Sequence, residues 1–119
     1  TNYTVAHFHG LWNSGGKSDS KERIEQSKKV KEFLDKIEGK KTICGDFNLS
    51  PNTESLRIIE KGLVNLIKKE SIVSTRSSLY TKSNKFADYT LVSPDIIVEE
   101  FNVPNIDISD HLPMELIYH

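Results

Sequence analysis

The run Lys41-Thr42-Ile43-Cys44-Gly45-Asp46-Phe47-Asn48-Leu49-Ser50-Pro51-Asn52-Thr53 decides how the chain is read. Ile43 and Cys44 signal a strand that breaks at Gly45, and Ser50-Pro51-Asn52 supplies a turn. Between them stand a carboxylate and an amide two residues apart. In extended backbone, positions i and i+2 share a face, so this spacing predicts Asp46 and Asn48 side by side where the sheet meets solvent. The ordinary alternative is a strand-to-turn exit, where Asp and Asn beside Pro are common.

Towards the N-terminus, Gly39 stops a helical pattern that runs from Ser18 to Ile37, with Ser20 or Asp19 as cap and Ile24, Val30, Phe33, Leu34 and Ile37 on one face. The Lys- and Glu-rich remainder of that helix reads as a solvated surface. Before it, Leu11 to Lys17 is a Gly- and Ser-rich loop whose Trp12 reads as a plug over the edge of the core. Thr4 to His9 reads as a strand ended by Gly10, and His9 at its exit is the residue placed to reach a pocket.

Towards the C-terminus, Thr53 to Lys61 reads as a short helix capped by Thr53 or Asn52 and stopped by Gly62. Leu63 to Lys69 is apolar at alternating positions and fits helix or strand. Ser71 to Lys85 is a polar connection of the kind that sets substrate preference. Ala87 to Val92 and Ile96 to Val103 read as strands joined by the turn Ser93-Pro94-Asp95, with Asp88 at the start of the first. After a connector from Asn102 to Asp107, Met114 to Tyr118 is a last strand. The order is strand, helix, strand, helix, then mostly strands, with no internal repeat and no domain boundary: one domain over 1–119.

A chain of 119 residues with 36% apolar and 28% charged residues can bury one modest core, and a formal net charge of -1 offers no basic field for polyanions. The single Cys44 excludes an internal disulfide and reads as a buried, inert thiol. Cysteine usage therefore points to the cytoplasm, with secretion as the alternative where a leader has been removed. No apolar run has membrane-spanning length.

Four stretches, His7-Phe8-His9-Gly10, Gly45-Asp46-Phe47-Asn48, Phe86-Ala87-Asp88-Tyr89 and Ser109-Asp110-His111-Leu112-Pro113, occur in the order in which similar motifs occur in the second half of the endonuclease/exonuclease/phosphatase superfamily, which includes DNase I-like enzymes. The chain resembles the C-terminal half of that domain. The resemblance implies an α/β fold, half of a four-layer sandwich: one mainly antiparallel or mixed β-sheet with helices covering one face.

It also implies a metal-dependent phosphoester hydrolase, most commonly of phosphodiesters, with nucleases among its members. Hard-oxygen ligands suit Mg²⁺ or Mn²⁺, and no Cys and His cluster suggests zinc. By resemblance, His9 would hydrogen-bond the scissile phosphate, Asp46 would orient or deprotonate the water, and Asn48 would hold Asp46 or a phosphate oxygen. Asp88 would orient His111, the proton handler that titrates near neutrality, and Asp110 would ligate the metal. Adjacent Asp110 and His111 cannot both face a site from a straight strand, so Ser109 to Pro113 is expected to be bent. Arg23 and Gln26 resemble a pair in the helix after the histidine strand and are expected to hydrogen-bond loops.

The family's first half, which supplies an Asn and a metal-binding Glu, has no counterpart here. Half a sandwich leaves one apolar sheet face uncovered. The expected partners are therefore a phosphate-ester substrate, nucleic acid among the candidates, and either the missing N-terminal half or a second copy of the chain. The alternative function is a catalytically incompetent fragment acting as a folded interaction module.

Overall fold

A computed structural model describes residues 2–13 and 16–119. The middle of the expected loop from Leu11 to Lys17 lies outside the described residues. The elements are β1 Tyr3–His7, α1 Lys21–Asp35, β2 Lys40–Asp46, α2 Glu54–Glu60, β3 Val64–Asn65, α3 Leu66–Lys69, β4 Asp88–Val92, β5 Val98–Asn102 and β6 Glu115–Tyr118. A four-stranded mixed sheet has the order β1-β2-β4-β3, and β5 and β6 form a second, two-stranded antiparallel sheet. The β1–β2 pair is parallel, as a strand-helix-strand crossover requires, and β4 pairs antiparallel with both β2 and β3.

The alternation of side chains along β2 and β4 defines two different faces. Ile43, Tyr89 and Leu91 face Leu34 of α1, Leu56 and Ile59 of α2 and Ile67 of α3, all fully or almost fully buried. Each such burial stabilises by about 2 kcal/mol, so this layer carries most of the fold. On the opposite face, Val92 packs with Val64, Val98, Leu116 and Tyr118, so the β5–β6 hairpin covers part of what the sequence leaves wet. A groove of about 280 Å³ remains between the sheet and β6, lined by Val5, Thr42, Cys44, Thr90, Met114 and Leu116.

Local chemistry fixes the ends of the helices. Ser20 caps α1 through its hydroxyl, which accepts from the Arg23 N–H, and Thr53 caps α2 in the same way on Leu56. Asp19, a candidate cap for α1, serves α2 instead: its carboxylate accepts from the Glu54 and Ser55 N–H groups and the Ser55 hydroxyl. Leu63 to Lys69 divides into a two-residue strand and one helical turn, which is why neither period dominates its sequence. Phe33, expected on the apolar face of α1, is 61% exposed beside the outer edge of β1. Trp12 is 49% exposed and plugs nothing.

Arg23 and Gln26 do tie the loop after β1 to α1. Gln26 Oε1 accepts from Leu11 N, and the buried Arg23 guanidinium donates to the carbonyls of Leu11, Gly16 and Ser18. Among the described residues no helix is long and apolar enough to cross a membrane.

Candidate active site

The antiparallel register of β2 and β4 sets Asp46, the last residue of one, directly opposite Asp88, the first residue of the other. Like charges paired across strands are destabilising. The imidazole of His111 lies between them, with Nδ1 2.9 Å from both carboxylate oxygens of Asp88 and Nε2 3.5 Å from Asp46 Oδ2. Burial pushes the Asp88 carboxyl above its ordinary range; hydrogen bonds from His111 and Thr75 oppose this, as would a positive charge on His111, and the nearby charge of Asp46 adds to it.

His111 is held by a second short pairing that local sequence does not announce. Residues 75–77 run beside residues 110–112: Leu112 N–H donates to Thr75 O and Ser77 N–H to Asp110 O. The segment is bent as expected, and it lets Asp110 and His111 both border the site. Thr75 Oγ1 also accepts from the backbone N–H groups of Ala87 and Asp88, which fixes the start of β4.

Two glycines bring the end of β1 to the end of β2. A Cβ on Gly10 would lie 1.9 Å from Phe47 O, and one on Gly45, whose φ is +141°, would lie 2.1 Å from Phe8 O. This close approach lets Gly10 N–H donate to Asp46 O at 2.8 Å and sets His9 Nε2 3.8 Å from Asp46 Oδ2. The His9 side chain is 65% exposed, at the rim.

Asn48 departs from the side-by-side arrangement. Its φ of +54° turns the chain out of extended backbone, and its buried side-chain amide donates to Gly10 O. It holds Asp46 all the same, through its own backbone N–H to Asp46 Oδ1 at 3.0 Å. Asn is among the few residues that adopt this left-handed conformation at little cost.

Arg76 is the site residue that sequence reasoning missed. Its Nη1 lies 2.8 Å from His111 Nε2 and 3.6 Å from Asp110 Oδ2, and its guanidinium stacks on Tyr80 with Cζ 4.0 Å from the ring centroid. Because arginine only donates, Nε2 is the acceptor, and Nδ1 carries the proton given to Asp88. These neighbours select the Nδ1–H tautomer of the ring.

Asp46, Asp88 and His111 each present one ligand atom within 4.8 Å of the others, an arrangement that could hold a metal ion. Both ring nitrogens of His111 already have partners, Asp46 Oδ1 accepts from the Asn48 N–H, and the carboxylate of Asp110, 53% exposed, accepts from the Ser109 hydroxyl through Oδ1 and lies 3.6 Å from Arg76 Nη1 through Oδ2.

No protein-family model matches the sequence, and no curated protein matches it. Solved structures do. An endonuclease/exonuclease/phosphatase family protein from Bacteroides thetaiotaomicron superposes with a TM-score of 0.69 at 19% identity, over 96% of this chain and 47% of that one. A mannosyl-6-phosphatase from Bacteroides thetaiotaomicron VPI-5482 superposes with a TM-score of 0.66 at 18% identity, over 98% of this chain and 50% of that one. The chain thus has the DNase I-like fold of endonuclease/exonuclease/phosphatase proteins, and it spans about half the length of these structures.

Proposed function

We propose that this chain is the C-terminal portion of a metal-dependent phosphoester hydrolase, with residues 1–119 forming one part of a larger domain. The observation that carries this reading is the trio Asp46, Asp88 and His111. Two carboxylates are forced together by strand register at the end of a sheet, and an imidazole is oriented between them. A purely structural sheet end gains nothing from such a pair.

In this reading Asp46 orients the attacking water through Oδ2, its Oδ1 being fixed by the Asn48 N–H. His111 borders the same space with its tautomer set by Asp88, and it exchanges protons with the reacting phosphate ester. His9, at the open rim, hydrogen-bonds a phosphoryl oxygen, as does the Asn48 amide when it is released from Gly10. Mg²⁺ or Mn²⁺, held by Asp110 with Asp46, would supply charge neutralisation at the phosphoryl oxygens.

The uncovered groove belongs to the same reading. The chain spans about half of the solved structures that share its fold. β1 is paired only on its β2 side and β6 only on its β5 side among the described residues. A two-stranded sheet is marginal by itself. The occupant that fits the groove and the β6 edge is the polypeptide that completes such a domain.

The test is hydrolysis of a phosphomonoester, a phosphodiester and plasmid DNA by the chain, with Mg²⁺, with Mn²⁺, with chelator, and with His111→Ala alongside. Metal-dependent turnover lost in the variant is the expected result. A folded chain that cleaves none of the three, alone or joined to a complementary half, would leave the interaction module as the function. Light scattering distinguishes a second copy in the groove from the complementary half.

A further inference from the structure

Arg76 is more than nine-tenths buried, yet its hydrogen bonding is far from complete. Nη1 meets His111 and lies near Asp110, whereas Nε is sealed from solvent without a partner and Nη2 has none among the described residues. A buried guanidinium left with unused donors is a cost to folding, and retention of such a group calls for another reason. A second cation meets the same aromatic ring. Lys17, also more than nine-tenths buried, places Nζ 5.8 Å from the centroid of the same Tyr80 ring and 5.2 Å from that of Trp12. No carboxylate lies within ion-pair distance of Lys17 among the described residues. Both cations thus sit against one aromatic ring, and Arg76 reaches the Asp46–Asp88–His111 trio through His111 Nε2.

We propose that Arg76 and Lys17, held against Tyr80, form a phosphate-binding subsite that selects a terminal phosphate, the doubly charged phosphomonoester, over the singly charged diester. This rests on the phosphoester hydrolase reading and names its substrate class. Nη2 of Arg76, the donor left without a partner and not sealed from solvent, suits a phosphate oxygen, and the ammonium of Lys17 adds a point charge. The second charge of a monoester, present above a pKa near 6, is the feature two cations reward. Trp12, half exposed beside Lys17, is left to pack against the group esterified to the phosphate.

Trp12 is the only tryptophan in the chain, so its emission reports on this corner directly. The 119-residue chain is titrated at pH 8 with inorganic phosphate, methyl phosphate and dimethyl phosphate, with and without Mg²⁺, and no turnover is required for the readout. The two dianions are expected to change the emission saturably, with dimethyl phosphate weaker by about tenfold or more. Arg76→Gln and Lys17→Met should each weaken phosphate by about tenfold, and Arg76→Lys should recover part of the loss. If Arg76→Gln fails to fold by circular dichroism, Lys17→Met and Arg76→Lys decide the matter. Equal binding of dianion and monoanion, binding indifferent to both cations, or no response of the unmodified chain would each overturn the proposal. Hydrolysis of a monoester with an unchanged KM in Lys17→Met would overturn it while leaving the hydrolase reading in place.

Discussion

His111 Nδ1 stands 2.9 Å from each carboxylate oxygen of Asp88, and the backbone of Asp88 is in turn held by the Thr75 hydroxyl. The imidazole is thereby fixed in one tautomer and one orientation, which is the part of acid–base catalysis that geometry can supply. Asp88→Asn keeps the shape of the side chain and removes the charge that orients the ring. In the phosphoester assay its kcat should fall by about 10²- to 10⁴-fold with little change in KM. A variant with near-normal kcat would show that His111 needs no orienting carboxylate.

Gly10 and Gly45 bring two strand ends together so closely that a methyl group at either would overlap a backbone carbonyl. Backbone cannot swing aside as a side chain can. Gly10→Ala should therefore lower unfolding free energy by about 1–3 kcal/mol and displace His9 from Asp46. Gly62 makes an internal control: nothing lies within 4 Å of its Cβ position, and only its φ of +79° opposes a side chain. Its alanine variant should cost about 1 kcal/mol. Urea denaturation of both variants checks the ranking, which would be reversed if close approach were not the constraint.

The sequence announces those parts of the site that lie where a strand ends. Asp46, Asp88 and His9 follow from local signals, because a side chain at the end of a strand faces the sheet's rim whatever the rest of the chain does. Arg76 lay hidden in a Ser- and Thr-rich stretch that resembles any polar loop, since its role arises from pairing with a segment 35 residues away. Asp19 failed for the same reason: it is a good cap in sequence, but the N–H groups it caps belong to a helix that starts 35 residues later. Asn48 was legible as a site residue and not in its geometry, because its positive φ is a property of the turn rather than of the strand pattern. Trp12 and Phe33 look like core residues in the sequence because size and hydrophobicity report nothing about which edges of a sheet stay open.

Asp19 joins the approach to α1 with the first turn of α2, and its ionisation reports on that joint. Burial works to raise its pKa, but hydrogen bonds from Ser55 and Glu54 and the charge of Arg57 together prevail, so the pKa is lowered from its ordinary 3.8. A carboxylate favoured in the folded state contributes stability that is fully present above 3.8 and is lost as the pH falls through its lower folded value. Asp19→Ala should cost about 1 kcal/mol near neutrality. The difference between the two proteins should close in acid, below pH 3.8. A gap that stays constant through acid would mean that the side chain acts by packing rather than by its charge.

Cys44 lies in the groove between the four-stranded sheet and β6, where burial pushes its thiol pKa up. Little thiolate is present at neutral pH, so a soluble maleimide should react with the folded chain more slowly than with the chain in urea. The same groove is wide and apolar enough to take an environment-sensitive hydrophobic dye. Dye fluorescence should rise with the isolated chain and fall in Leu116→Glu, which sets a charge in the lining without touching the helical layer of the core. Once a polypeptide completing the domain is joined to the chain, dye binding should vanish and Cys44 should become unreactive, because both depend on the same uncovered surface. Persistent labelling and dye binding in the joined protein would place the completing segment elsewhere and leave the groove as a surface for another partner.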